Sequence, residues 1–208
     1  MTPAQFIKTC NDTALEILLT EMVNRGFGIS TLDAIKTHIN KTSYNDFAII
    51  IAKSLNIDYD NIHNDDRLYK YITDLSLDIN MQFKAIQSTL FSGDLQLNWF
   101  MYIGSNLTTT RAFCLAMTDK TYFHKCEIPR LLEGDFSEFQ KHGGEFDDDT
   151  ELPVGMYSHT DEDNFRIYRG GYGCGHTISP ISEVAVPEKI KSELYDTEEY
   201  KNWKLNNK

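Results

Sequence analysis

Gly170-Gly171-Tyr172-Gly173-Cys174-Gly175-His176 is the segment that best indicates how this chain folds. Its glycines allow turn conformations that are closed to other residues. The thiol of Cys174 and the imidazole of His176 are therefore expected to lie close together on a tight loop. Such a pair is typical of half of a metal site or of an anchored structural knuckle. The other half is expected upstream, where the chain offers three candidates: Cys114, His124 and Cys126.

The cysteine and histidine cluster permits three interpretations. In the first, Cys114, Cys174 and His176 bind a structural zinc ion, with Cys126 as the fourth ligand and His124 as the alternative to Cys126. In the second, Cys114 is buried against Cys174, and His176 hydrogen-bonds to backbone. In the third, Cys114 and Cys174 form a disulfide once cell lysis exposes them to oxidant. The spacing of the residues leaves all three open.

The composition bounds the size and the partners of the fold. With 208 residues, of which 41% are hydrophobic, the chain can bury the core of one domain or of two small ones. Its net charge of −11, without a basic patch, predicts that it has no specific nucleic-acid partner. No signal peptide is expected, because the N-terminus has no basic start and acidic residues interrupt its apolar residues. No membrane span is expected, because no apolar run is long enough. Four cysteines without a signal favour a reduced, cytosolic place of synthesis.

The first half of the sequence is predicted to be helical. Apolar residues recur at helical spacing in four segments, and Thr2-Pro3 has the pattern of an N-cap followed by proline in the first turn. Thr42 or Ser43 is expected to cap the third helix. The predicted helices cover residues 3–25, 31–39, 43–55 and 68–90. The pattern breaks at Phe91-Ser92-Gly93-Asp94, so residues 1–92 are predicted to form a helical domain.

The second half has a different character, which makes the whole chain α+β. Its predicted elements are strands at 95–103 and 120–123, a threonine-capped helix at 108–117, and a helical turn at 128–132. Residues 138–163 hold nine acidic residues and one basic residue, which is typical of an exposed loop. Residues 93–187 are thus predicted to form a small mixed α/β domain after the N-terminal helical bundle. A charged C-terminal helix or tail is predicted over residues 188–208.

Three motifs in the second half occur in an order that is found in a known family. They are Tyr102-Ile103-Gly104 leading into Thr110-Arg111-Ala112-Phe113-Cys114, then Phe123-His124-Lys125-Cys126-Glu127-Ile128, then the loop 170–176 with Pro180-Ile181. Together, over roughly residues 95–186, they resemble the C-terminal domain of tailed-phage minor head proteins, the head-morphogenesis family. The matching residues are Arg111, Phe113, Cys114, Phe123, Glu127, Ile128, Gly170, Gly171, Cys174, His176, Pro180 and Ile181.

The resemblance implies a structural role in a virion that is assembled in the cytoplasm of a host bacterium. A minor head protein is expected near the portal or the head-tail connector. Its expected partners are the portal, the major capsid protein and neighbouring copies around a symmetric vertex, and no membrane. In this interpretation the loop 170–176 closes the small domain, and five residues are structural: Arg111, Phe113, Glu127, Gly170 and Gly171.

Arg111 has two interpretations from its sequence context. It is either a buried guanidinium that pairs with Glu127 or an exposed charge on a helix.

Enzymatic activity is not expected from the sequence. The chain has no nucleophile elbow, P-loop, dinucleotide fingerprint or His-Glu-x-x-His motif. The alternative function is a small metal-dependent nuclease or hydrolase that would use the same cysteine and histidine cluster.

Overall fold

The structure is a computed structural model that describes residues 2–59, 65–171 and 174–207. It is of the α+β class, as predicted, because helices make up most of the described chain and three antiparallel strands form a small sheet. The chain divides into two compact units. The first contains residues 1–90 and 172–175, and the second contains residues 91–171 and 176–208.

The first unit is helical. Its described residues form α1 (Pro3–Asn24), α2 (Ile29–His38), α3 (Tyr44–Ser54) and most of α4 (Asp66–Asp94). Thr2 and Gln5 form a reciprocal capping box at the start of α1, with Pro3 in the first turn, as the sequence predicts. The Ser43 hydroxyl caps α3 by accepting from the Asp46 backbone N–H at 3.2 Å. The fully buried core of this unit includes Leu18, Met22, Ile35, Ile51 and Ile72.

The sheet lies in the second unit and has β1 at its centre. The strands are β1 (Trp99–Ile103), β2 (Tyr122–His124) and β3 (Thr177–Ile181), and their order is β2-β1-β3. Trp99 lies opposite both His124 and Ile181, and Tyr102 lies opposite Ile178. The central strand therefore has the second motif on one side and the third motif on the other.

Short helices surround this sheet. They are α5 (Ala112–Lys120), α6 (Ile128–Leu132), α7 (Ser137–Lys141), α8 (Phe165–Tyr168), α9 (Glu188–Tyr195) and α10 (Glu198–Asn206). Phe113 of α5 makes edge contacts with the rings of Phe136, Phe139 and Phe165 at centroid distances of 6.2–6.4 Å. Such edge-to-face contacts add to the energy of burying the rings, so this cluster stabilises the unit.

Helix α4 continues through Phe91–Asp94, where the sequence predicted a break. The helix ends in a Schellman motif, in which the Leu97 N–H donates to Ser92 O at 2.9 Å and the Gln96 N–H donates to Gly93 O at 3.1 Å. Gln96 takes the left-handed conformation, with φ of +53°, that this motif usually assigns to glycine. The terminator was missed because it is not a glycine.

Helix α5 starts at Ala112, not at residue 108, and Arg111 occupies its N-cap position. The predicted threonine cap instead closes a turn before the helix. The Leu107 N–H donates to Thr110 Oγ1 at 2.7 Å, and the Thr110 N–H donates to Leu107 O at 3.0 Å.

The acidic segment 138–163 is more ordered than the predicted exposed loop. It begins within α7, and Phe146 and Pro153 form an isolated antiparallel bridge. Asp147 Oδ1 accepts from the backbone N–H groups of Asp149 and Thr150 at 3.2 and 3.0 Å, which fixes a turn within the acidic run.

The C-terminal segment forms two helices where one was predicted. Thr197 interrupts the helix and caps α10 by accepting from the Tyr200 N–H at 3.2 Å. This segment belongs to the second unit, in which Leu194 clusters with Trp99, Cys126 and Val186.

Candidate metal centre

The loop 170–176 joins α8 to β3, and Tyr172 and Gly173 lie outside the described residues. Gly171 has a φ of +61°, and a Cβ at this position would lie 1.7 Å from the Gly155 carbonyl oxygen. Glycine is therefore required there, both by conformation and by space. Arg111 Nη1 donates to Gly170 O at 2.6 Å, so the start of α5 is fixed to the start of the loop.

Cys114, Cys174 and His176 form a group whose donor atoms all lie within 4.8 Å of one another. Cys114, on α5, and His176, before β3, are buried, whereas Cys174 is partly exposed. This group could hold a metal ion. The predicted contact of Cys114 with Cys174 fits the same distances. Both cysteines are in the reduced form in the structure, and the disulfide predicted for oxidising conditions stays a prediction.

His176 is held by its neighbours from several directions. Its ring stacks on Tyr102 with a centroid distance of 5.3 Å, and a Cβ on Gly104 would lie 2.0 Å from the ring. Its carbonyl accepts from Arg169 Nη2 at 2.6 Å. Its Nε2 lies 3.4 Å from Asn106 Oδ1, an acceptor. If Nε2 carries the proton and donates it to Asn106, Nδ1 is left as the ligand atom. Metal-binding histidines usually donate the N–H of their other ring nitrogen to an acceptor in this way.

The donor set fits zinc in chemistry and approximately in distance. Zinc prefers thiolate and imidazole ligands in a tetrahedron, with bonds of about 2.3 Å to sulfur and about 2.0 Å to nitrogen. These bond lengths place ligand atoms about 3.5–3.8 Å apart. The donor atoms, which lie within 4.8 Å of one another, therefore need to approach by at most roughly 1.3 Å, and small side-chain rotations can supply that change. Among the described residues it provides three of the four protein ligands that a closed structural site requires.

Cys126 and His124, the two candidates for the fourth ligand, do not belong to this group. The register of the sheet explains their exclusion. His124 lies opposite Trp99. Tyr102, whose side chain contacts Cys114 and His176, is three residues further along β1. That spacing corresponds to about 10 Å along a strand.

The two excluded residues form a pair of their own. His124 Nδ1 lies 3.1 Å from Cys126 Sγ, and the imidazole makes edge contacts with Trp99, Tyr200 and Trp203. Burial lowers the pKa of His124 to about 4 and raises the pKa of Cys126 to about 12. Both groups are therefore neutral near pH 7, which opposes the thiolate that metal binding needs.

Glu127 is a structural residue, but its predicted ion pair with Arg111 is wrong. The buried carboxylate accepts from the His124 N–H at 2.7 Å and forms ion pairs with Lys120 at 2.9 Å and Arg130 at 2.8 Å. Arg111 bonds to the loop carbonyl instead, since the turn at Thr110 makes Arg111 the N-cap of α5.

Several residues around the site were not singled out by the sequence analysis. Asn106 and Gly155 lie in segments without a recognisable pattern, and Arg169 is separated from the carbonyl that it binds by seven positions. Tyr102 and Gly104 were quoted only as an aromatic motif. Tyr102 and Gly104 are two residues apart at the end of a predicted strand, and this spacing was the signal that could have identified them as neighbours of the site.

No family model, curated protein or solved structure matches this chain. Among the described residues, no helix has the length and hydropathy that crossing a membrane requires.

Proposed function

We propose that this protein is a structural component of a tailed-phage virion, a minor head protein that docks near the portal or the head-tail connector. The observation that carries the proposal is that residues from separate motifs contact one another. Arg111 bonds to Gly170, 59 positions away, and Tyr102 contacts both Cys114 and His176. If the three motifs define one rigid module, their residues are expected to contact one another. The observed contacts therefore support the resemblance to minor head proteins, on which the proposal rests.

We propose that the first unit supplies a docking surface for the portal, for the major capsid protein or for neighbouring copies around a symmetric vertex. Its helices α1 and α2 carry apolar side chains with large exposed fractions: 55% for Ile7, 55% for Val23 and 79% for Ile29. Val23 and Ile29 lie on either side of the short connection between α1 and α2, and apolar side chains left exposed at one place can form part of a protein interface. The net charge of −11 would keep such a protein away from packaged DNA.

The virion role can be tested by co-expression and particle analysis. The chain is expected to copurify with a co-expressed portal or major capsid protein of the same phage, and mass spectrometry should find it in purified particles. Ile29→Asp should weaken copurification because it places a charge in the docking surface. Val184→Asp is the matched control, since Val184 is 88% exposed and lies in the second unit. Absence from particles, together with no copurification, would refute the proposal.

We propose that the metal group binds a structural zinc ion. Cys114, Cys174 and His176 would be the protein ligands, with water in the fourth position. The ion would hold the Cys114 side chain of α5 to the loop 170–176.

A chelator tests the structural role of zinc without an activity assay. Removing the ion is expected to lower the Tm by about 5 °C or more, and added zinc should restore it. Cys174→Ser is the matched control, because its Tm should not respond to the chelator. An unchanged Tm in the unmodified protein would contradict a stabilising metal.

A metal-dependent nuclease or hydrolase is the second candidate function. The observation that favours it is the number of protein ligands, because three ligands with an open fourth position are typical of catalytic zinc. The test is hydrolysis of DNA and of activated esters by the zinc-loaded protein. Turnover that Cys174→Ser abolishes while the fold persists would establish the enzyme, whereas absence of turnover with a Tm loss supports the structural role.

A further inference from the structure

A pocket of about 420 Å³ lies in the second unit, apart from the metal group. It is lined by Ser92, Gly93, Gln96, Leu97, Asn98, Lys125, Arg166, Trp203 and Asn207. Its volume is within the range that accommodates small organic ligands. The end of α4, the loop before β1, the 3₁₀ helix Lys125–Glu127, α8 and the end of α10 supply its walls, so segments distant in sequence converge on it.

The charge of this pocket is opposite to that of the chain. Two of its lining residues, Lys125 and Arg166, are cationic and none is acidic, although the chain has a net charge of −11. Among the described residues, neither cation forms an ion pair with a carboxylate. A local positive field in an acidic protein attracts anions to that point.

Arg166 is held in place although none of the described carboxylates forms an ion pair with it. Its Nη1 donates to the buried Ser92 hydroxyl, and its guanidinium carbon lies 4.8 Å from the centroid of the Phe100 ring. Burial lowers the pKa of Arg166. A partly buried guanidinium whose charge is not balanced by a carboxylate is unfavourable unless an anion completes its surroundings.

The rest of the pocket can contact more than a single anion. Trp203 and Leu97 provide apolar surface, and Gln96, Asn98 and Asn207 provide amide groups. The helix end that borders the pocket is the C-terminal, partially negative end of α4, but the carbonyls of Ser92 and Gly93 accept the Schellman hydrogen bonds. Those two carbonyls are therefore satisfied within the motif.

We propose that this pocket binds a small phosphorylated molecule, with Lys125 and Arg166 holding the phosphate and with Trp203 and Leu97 contacting the remainder. A guanidinium and an ammonium together match the charge and the acceptor oxygens of a phosphate group. The inference is independent of the virion role and of zinc, because no residue of the pocket belongs to the metal group.

Trp203 provides the signal for a direct test. The chain has two tryptophans, of which Trp99 is buried and Trp203 lines the pocket, so ligand binding should change the emission of Trp203. The probes are inorganic phosphate, adenosine monophosphate, and adenosine as the ligand without phosphate. Titration of the full chain should show binding of both phosphates, with tighter binding of the nucleotide and none of adenosine at the same concentrations. Trp203→Phe should lose the fluorescence signal, and calorimetry should still detect binding.

Two charge substitutions and one control decide the role of the cations. Lys125→Gln and Arg166→Gln should each raise the Kd for adenosine monophosphate by about tenfold or more. Lys189→Gln should leave it unchanged, because the Lys189 side chain is 85% exposed and lies outside the pocket. Lys125 is exposed, so its variant should fold even if Arg166→Gln does not. The proposal is overturned if neither phosphate binds, if Lys125→Gln binds as tightly as the unmodified chain, or if adenosine binds as well as its monophosphate.

Discussion

The chain contains two cysteine and histidine pairs with the same spacing, and the structure gives them different surroundings. Cys174 and His176 lie on a glycine-rich loop, where Cys114 of α5 joins them and Asn106 is an acceptor for the imidazole. His124 and Cys126 contact each other at the end of β2, where tryptophan and tyrosine rings surround the imidazole.

The difference shows that spacing alone does not produce a metal site. A third ligand from another element and a polar partner for the imidazole are also needed, and the first pair has both. The second pair is desolvated, which stabilises the neutral imidazole and the neutral thiol. It acts as part of the core, with His124 capping the short 3₁₀ helix at Lys125–Glu127.

The largest expected effect is on the loop of the first pair. Gly171→Ala should lower the free energy of unfolding by about 4 kcal/mol, because the new methyl group meets the Gly155 carbonyl and φ is positive. Chemical denaturation measures this change.

Gly175→Ala is the matched control in the same loop. A Cβ there would meet no atom within 4 Å, so its stability should stay close to that of the unmodified chain. Equal effects of the two substitutions would mean that the loop is not held as described.

The second pair should make stability depend on pH. The pKa of His124 falls from 6.5 to about 4 on folding, so between these values the unfolded chain binds more protons than the folded one. Its contribution is fully present above pH 6.5 and is lost as pH falls towards 4, by up to about 3 kcal/mol.

His124→Phe keeps an aromatic ring among its neighbours and removes the titration. It should lower stability at pH 7, because the cap to Cys126 N–H is lost, but flatten the slope of stability between pH 6.5 and 4. An unchanged slope would show that His124 titrates normally in the folded protein.

A smaller effect is expected at Glu127, which fixes the segment that carries the second pair. Glu127→Gln leaves Lys120 and Arg130 without their shared carboxylate and should cost about 2 kcal/mol. Glu133→Gln, at an exposed position, should change stability little. If both variants were equally stable, the carboxylate would be a surface charge and not the centre of a buried network.

The sequence predicted the local features better than the long-range ones. Capping at Thr2 and Ser43 and the helical turn at 128–132 were predicted correctly because their signals lie within a few residues. The end of α4 was missed because Gln96 takes a conformation that its side chain does not indicate.

The same limit applied to the site. Motif order placed Cys114 with Cys174 and His176, but strand register decided that His124 faces Trp99, and register cannot be read from one sequence. The partner of Arg111 was wrong for a related reason, since the turn at Thr110 shifts the start of α5. Long-range geometry of this kind depends on packing and not on local pattern.

The contrast between the two pairs is tested most directly by measuring bound zinc per chain by elemental analysis. We expect about one zinc ion in the unmodified protein and in Cys126→Ser, and almost none in Cys114→Ser or Cys174→Ser, with circular dichroism confirming that each variant is folded. No zinc in carefully prepared unmodified protein, or loss of zinc in Cys126→Ser with retention in Cys174→Ser, would contradict it.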